Sequence, residues 1–210
     1  QGPDLLAITQ DRIKEKEAIR EAGVETAPYE VIESAEDLIF KMNKIGYPAV
    51  LKTARGGYDG KGQLVIKSEQ DLAEGESLLN HGACVLEKWI RFEKEISVIV
   101  TRKPNGETAI FPVGENIHVE NILHQTIVPA RISTGLQLRA VEKAQQIADS
   151  LGLVGILAVE MFVTEDGNIY INELAPRPHN SGHYSIEACV TSQFEQHIRA
   201  ICNWPLGSTE

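Results

Sequence analysis

Residues 157–174 read Leu157-Ala158-Val159-Glu160-Met161-Phe162-Val163-Thr164-Glu165-Asp166-Gly167-Asn168-Ile169-Tyr170-Ile171-Asn172-Glu173-Leu174. Two strand-like runs flank Asp166-Gly167, the dipeptide that most favours a tight β-hairpin turn. With a two-residue loop, Glu165 pairs with Asn168 and the numbers of all paired residues sum to 333. Glu160 then faces Glu173 on the same side of the ladder. Opposed side chains in such a ladder have Cβ atoms roughly 4.5–5.5 Å apart, and like charges there repel. Their neighbours are apolar, so two such carboxylates call for a cation or a shared proton. The alternative is a solvated edge whose glutamates point into water. Oxygen ligands of this type suit magnesium, which takes one or two carboxylates plus phosphate oxygens.

The chain continues from Glu173 into Leu174-Ala175-Pro176-Arg177-Pro178-His179-Asn180-Ser181-Gly182-His183. Two prolines keep this segment extended and carry Arg177 and His179 past the carboxylates. An Arg fork fits a carboxylate, carbonate or phosphate, and His179 is suited to donate to the same anion or to shuttle a proton. Asn180-Ser181-Gly182 precedes a predicted helix whose first amides favour an anion. A rigid loop with Arg177 bridging Glu173 is the structural alternative for either residue alone.

Upstream, Arg55-Gly56-Gly57-Tyr58-Asp59-Gly60-Lys61-Gly62-Gln63 joins two strands. Its glycines free the backbone to point amides at phosphates, although no GK[ST] follows as in a Walker loop. Lys52 lies in the apolar strand just before it, where a phosphate would be a fitting partner for its charge. Glu87-Lys88-Trp89-Ile90 follows the apolar run 83–86, with Glu95 beyond; packing of Trp89 and Ile90 into the core is expected in any case.

Helices are predicted over about 10–22 (cap Thr9, stop Gly23), after Ser34, after Ser68, after Thr134 and over about 185–202. Leu38, Ile39, Met42 and Ile45 share one face of the second; Leu138, Val141, Ala144, Ile147, Ala148 and Leu151 share the buried side of the helix after Thr134. A further hairpin is predicted around Pro104-Asn105-Gly106. Helices alternating with mostly antiparallel strands give an α+β fold, with a small lobe and a larger one.

With 210 residues, 42% hydrophobic and 24% charged, the chain has an ordinary globular balance. A net charge of −10 argues against a nonspecific nucleic-acid or membrane partner. Cys84, Cys189 and Cys202 show no CxxC spacing, and are expected as reduced core thiols of a cytoplasmic protein. No apolar run is long enough to span a bilayer and no secretory signal opens the sequence; the missing initiator Met suggests an excised fragment.

The order of strand lysine, glycine loop, apolar strand, glutamate and paired glutamates ending in an Arg-bearing loop resembles the ATP-grasp superfamily. Within it, Lys52-Thr53 with residues 55–63, and Asn172 to His183, closely resemble the N5-carboxyaminoimidazole ribonucleotide synthase family. The resemblance implies two lobes of mostly antiparallel sheet holding a nucleotide between them, the smaller within about 28–90 and the larger over 91–210. It implies a cytoplasmic carbon–nitrogen ligase, homodimeric at full length, that carboxylates aminoimidazole ribonucleotide with hydrogencarbonate and ATP. Lys52 and Gly57, Tyr58, Asp59, Gly60, Lys61, Gly62 and Gln63 would hold phosphates. Glu87, Lys88, Trp89 and Ile90 would hold adenine, chiefly through backbone, and Glu95 the ribose; His118 and Asn172 are implied as further nucleotide contacts. Glu160 and Glu173 would ligate Mg2+, with Mn2+ as a substitute, and Arg177 and His179 would handle hydrogencarbonate and carboxyphosphate. Ala175 stands where many ATP-grasp enzymes have Asn, as it does in the resembled family. That family also has flanking amino- and carboxy-terminal domains that this sequence lacks. A formate-dependent glycinamide ribonucleotide transformylase, and a noncatalytic ATP-binding module, are the alternatives.

Overall fold

The computed structural model describes residues 2–57 and 60–210. Among these the elements run α1 (Pro3–Thr9), α2 (Arg12–Glu21), β1 (Tyr29–Ile32), α3 (Ala35–Ile45), β2 (Ala49–Thr53), β3 (Gln63–Ile66), α4 (Leu72–Leu78), β4 (Cys84–Lys88), β5 (Lys94–Arg102), β6 (Thr108–Ile110), β7 (Gly114–Val119), β8 (Ile122–Ile127), α5 (Thr134–Ser150), β9 (Gly155–Val163), β10 (Ile169–Ala175), α6 (Ser185–Ala188) and α7 (Gln193–Ile201). Two antiparallel sheets result. One has the order β1-β4-β2-β3; the other has the order β10-β9-β5-β7-β8, with β6 pairing β5. The fold is therefore α+β, as the sequence pattern predicts.

The four-stranded sheet packs Ala49, Leu51, Ile66, Cys84 and Leu86 against Leu38 and Met42 of α3. In the six-stranded sheet, side chains alternate between faces. Ile96, Val98, Val100, Val159 and Met161 go to one face, where Ala140, Ala144, Ile147 and Ala148 of α5 and Ile19 of α2 complete the core. Ile99, Ile156 and Ala158 pack on the other face with Phe111, Ala175 and Tyr184. That second face is apolar at one end and polar at the other, where Glu95, Ser97 and Glu160 emerge.

Several predicted elements are corrected. The helix expected over about 10–22 is α2, preceded by the unpredicted α1, and its cap is Asp11 rather than Thr9, with the Ile13 N–H donating to the Asp11 carboxylate at 3.1 Å. A carboxylate cap complements the helix dipole, and Thr9 is spent on the Leu5 carbonyl. Gly23 stops α2 as expected, at φ +73°. Ile39 and Leu138 are exposed, since the apolar stripe of each helix is narrower than their positions require. The last helix is interrupted over 189–192, where Val190 and Thr191 donate backbone N–H groups to Glu210 and Ser208, and Ser192 caps a new start. Cys202 is exposed rather than core, whereas Cys84 is buried; all three thiols are free. Among the described residues no helix is long and apolar enough to cross a membrane.

Candidate active site

The hairpin β9–β10 sets Glu160 opposite Glu173, but not by the route the sequence suggests. Its loop is Glu165-Asp166-Gly167, closed by Thr164 N–H to Asn168 O at 3.0 Å, with Gly167 at φ +78°. Pairs near the loop therefore follow Ile171↔Met161, one residue out of the predicted register. A bulge between Ile171 and Glu173 restores it. The bulge has a consequence: Asn172 and Glu173 no longer alternate strictly, and both serve the same side of the sheet.

Glu160 is largely enclosed, its side chain 14% exposed, whereas Glu173 is 39% exposed. Burial, and then the charge of Glu173, push the Glu160 carboxyl up to about 7. His179 Nε2 lies 3.2 Å from Glu160 Oε1. Its Nδ1 accepts the Ser181 N–H at 3.3 Å, so the remaining ring proton is on Nε2 and donates to Glu160. Burial, then the Arg177 charge, lower His179 to about 4, so the ring is neutral. His179 thus orients Glu160. The amide of buried Gln193 fixes the His179 backbone on both sides, accepting its N–H at 2.9 Å and donating to its carbonyl at 2.7 Å. Arg177 is exposed and does not bridge Glu173; its Nη1 donates to Pro178 O at 3.1 Å. Asn180–Gly182 forms only a 3-10 turn and α6 has four residues, too short to present the anion-binding helix end that was expected.

Glu95 on β5 is two strands from Glu173, and the His118 imidazole of β7 is paired with its carboxylate. That hydrogen bond raises the His118 pKa against the opposing effect of burial. The sheet therefore joins two residues that the sequence left separate.

The four-stranded sheet faces this row. Lys52 Nζ lies 3.2 Å from Glu87 Oε2 and 3.5 Å from Asn172 Oδ1, which links the two sheets. Glu87 is buried between Lys52 and Lys16, so its carboxylate is engaged within the protein. Burial raises its pKa, but the two ammonium groups outweigh this and the net shift is downward. Lys88, Trp89 and Ile90 line a cavity of about 390 Å³ with Tyr47, Pro48 and Tyr170, apart from the carboxylates. Trp89 is 40% exposed rather than packed in the core. In the glycine loop, Gly62 has φ +72°, and a Cβ there would lie 2.7 Å from Thr53 Oγ1; one on Gly57 would lie 2.9 Å from Lys61 O. Both positions require glycine. Gln63 pairs with Lys52. Gly60 lies close to Asn121 of the β7–β8 turn on the other sheet. Tyr58 and Asp59 lie outside the described residues.

Three residues of α2 were missed. Arg12 Nη1 lies 3.5 Å from Glu173 Oε2, buried Glu15 accepts the Leu174 N–H at 3.2 Å, and Lys16 reaches Glu87 at 3.2 Å. The available signal was their spacing with Ile19 at i, i+3, i+4 and i+7, a helical face that the core must cover. Among the described residues no three His, Cys, Asp or Glu side chains converge as a self-sufficient metal site. The donor set instead fits a hard cation completed by a ligand: two carboxylates, one held enclosed with a raised pKa that a cation would relieve.

Two antiparallel sheets facing each other across a lysine, a glycine loop and a carboxylate pair define an ATP-grasp domain, and a family model described as an ATP-grasp domain matches residues 17–194. The chain belongs to that superfamily and, within it, is similar along its whole length to N5-carboxyaminoimidazole ribonucleotide synthases. It is 57% identical over 210 residues to N5-carboxyaminoimidazole ribonucleotide synthase of Bacillus subtilis (strain 168), covering 100% of this chain and 55% of that protein. The crystal structure of an ADP complex of an N5-carboxyaminoimidazole ribonucleotide synthetase matches with a TM-score of 0.97 and 60% identity, covering 100% of this chain and 56% of that one. The Staphylococcus aureus N5-carboxyaminoimidazole synthetase complexed with ADP matches with a TM-score of 0.94 and 43% identity, covering 99% and 55%. The chain spans about half the length of the curated relatives it matches.

Proposed function

We propose that this domain holds magnesium–ATP between its two sheets and serves the ATP-dependent carboxylation of 5-aminoimidazole ribonucleotide by hydrogencarbonate. The observation that carries the proposal is the enclosed Glu160 opposite Glu173, with His179 on one carboxylate, Arg12 on the other and Arg177 beside them. In this scheme the hydrogencarbonate oxygen bonds to the γ-phosphorus as ADP leaves, giving carboxyphosphate. The amine of the ribonucleotide then attacks the carboxyl carbon, losing a proton as phosphate departs. The domain acts as part of a carbon–nitrogen ligase.

Lys52, Arg12 and the loop from Gly57 through Lys61 and Gly62 to Gln63 would lie along the phosphates, with Asn172 beside Lys52. The backbone of Lys88 and Ile90 would meet adenine, and Glu95, oriented by His118, the ribose hydroxyls. Charge neutralisation on the transferring phosphoryl group is what Mg2+ or Mn2+ held by Glu160 and Glu173 supplies when bound. Neutral His179 keeps Glu160 oriented for that purpose, and the Arg177 guanidinium offers hydrogencarbonate a cation. The lobe division at about 90–91 is supported by the sheets, which fall within 29–88 and 94–175. We extend the proposal to a cytoplasmic homodimer at full length. The free thiols support the compartment; dimerisation rests on the family resemblance.

Phosphate release from ATP by the full-length protein tests the reaction. Aminoimidazole ribonucleotide with hydrogencarbonate should stimulate it, and Glu173→Ala should abolish it. Stimulation by glycinamide ribonucleotide plus formate instead would assign the transformylase, and ATP binding without turnover would leave a binding module.

A further inference from the structure

The inner face of α2 is charged where helices normally present apolar side chains. Lys16 is 1% exposed, with its ammonium 3.2 Å from Glu87 Oε1 and 5.5 Å from the centroid of the Tyr29 ring. The other Glu87 oxygen is 3.2 Å from Lys52 Nζ. Two lysines therefore share one buried carboxylate; burial lowers the Lys16 pKa, and Glu87 opposes that shift in favour of the ammonium. A lone Glu87–Lys52 pair would be internally balanced, and withdrawing Lys52 from it would strand a buried carboxylate at high cost. Lys16 removes that penalty. It is enclosed by Tyr29 and Glu87, whereas Lys52 points onward to Asn172 on the facing sheet.

We infer that Lys16 is a positioning residue that neutralises Glu87 from behind, so that Lys52 can leave this carboxylate for the phosphates of a nucleotide. The inference rests on the nucleotide site proposed above, although Lys16 itself touches no nucleotide. Its action is electrostatic and specific to phosphate.

The test is calorimetric titration of the full-length protein with magnesium–ATP and, separately, adenosine. Lys16→Met should weaken ATP by about tenfold or more, the scale of one charge-assisted hydrogen bond, and leave adenosine unchanged. Lys16→Arg should retain most of the affinity. Adding Glu87→Gln to Lys16→Met should restore ATP binding, because no carboxylate then competes for Lys52. Equal losses for ATP and adenosine, or no recovery in the double variant, would overturn the inference. A ligand-free measurement separates it from the nucleotide reading: acylation of Lys52 relative to exposed Lys67, mapped by mass spectrometry. Lys16→Met should slow Lys52 acylation and the double variant should restore it. Unchanged Lys52 reactivity overturns the role of Lys16 whatever the protein binds. The expected acylation pattern in a protein that binds no ATP overturns the nucleotide site alone.

Discussion

Glu15 shows how a single buried group is set by its surroundings. It is 3% exposed, accepts the Leu174 N–H and lies in the field of Glu173. Burial, and then that neighbouring charge, raise its carboxyl to about 8 from an ordinary 4.5, despite Arg12 and Lys16. The folded state thus prefers the protonated form. The contribution is fully present below pH 4.5 and is lost as pH rises through about 8. Glu15→Gln keeps an oxygen for the Leu174 N–H and cannot ionise. Urea denaturation of ligand-free protein should find variant and parent alike near pH 4.5 and the variant more stable at pH 9. A parent whose relative stability grows with pH would contradict this. Residues of this kind were not legible in the sequence. Glu160, Glu173, Arg177 and His179 lie within twenty positions of one another, so hairpin and proline arithmetic reaches them. Arg12, Glu15 and Lys16 acquire partners only when α2 packs between β4 and β10, contacts that no local spacing encodes.

At the level of elements, the β9–β10 hairpin was predicted with the right pairing and the wrong turn. Asp166-Gly167 favours a two-residue loop, but Gly167 closes a three-residue one, and the bulge at Asn172 absorbs the difference. A bulge leaves no sequence signal of its own here. Its reason is tertiary: it brings Asn172 and Glu173 to one side, where Lys52 reaches the first. Strands β1, β7 and β8 were unread because their burial is partial or interrupted, with no run of alternation. Strand β7 is instead secured by charge. Glu115, 5% exposed, accepts from Arg131 N–H at 3.1 Å and Arg131 Nη2 at 2.6 Å, and from Lys94 at 3.1 Å. The Arg131 bonds first, and Lys94 after them, outweigh burial and hold its carboxyl down at about 2. Depression below the ordinary 4.5 gives stability that is present above that value and lost as pH falls toward 2. Glu115→Gln should therefore cost on the order of 2–3 kcal/mol at pH 7, discounting the solvent-exposed Arg131. Chemical denaturation should show the deficit shrinking below pH 4 and nearly gone at pH 2. A deficit independent of pH would assign Glu115 a packing role only.

Across the whole molecule, α2 stands between the sheets and is tied to each: Lys16 to Glu87 of one, Glu15 and Arg12 to Leu174 and Glu173 of the other. Lys52 and Asn172 make a further direct link. A nucleotide held, as proposed, by Lys52 on one sheet and through a metal by Glu160 on the other would add a third. Ligand binding to the folded state alone stabilises it by about 2.7 kcal/mol at a hundredfold excess over Kd. For a domain of this size that corresponds to a rise in Tm of roughly 5–10 °C. Magnesium–ATP should produce such a rise. Lys52→Ala and Glu160→Ala, changes on different sheets, should each remove most of it, because the ligand needs both sides. Adenosine should give a smaller rise that neither variant alters. If one substitution abolished the shift while the other left it intact, the nucleotide would be held by a single sheet, and the arrangement of the site between them would be wrong.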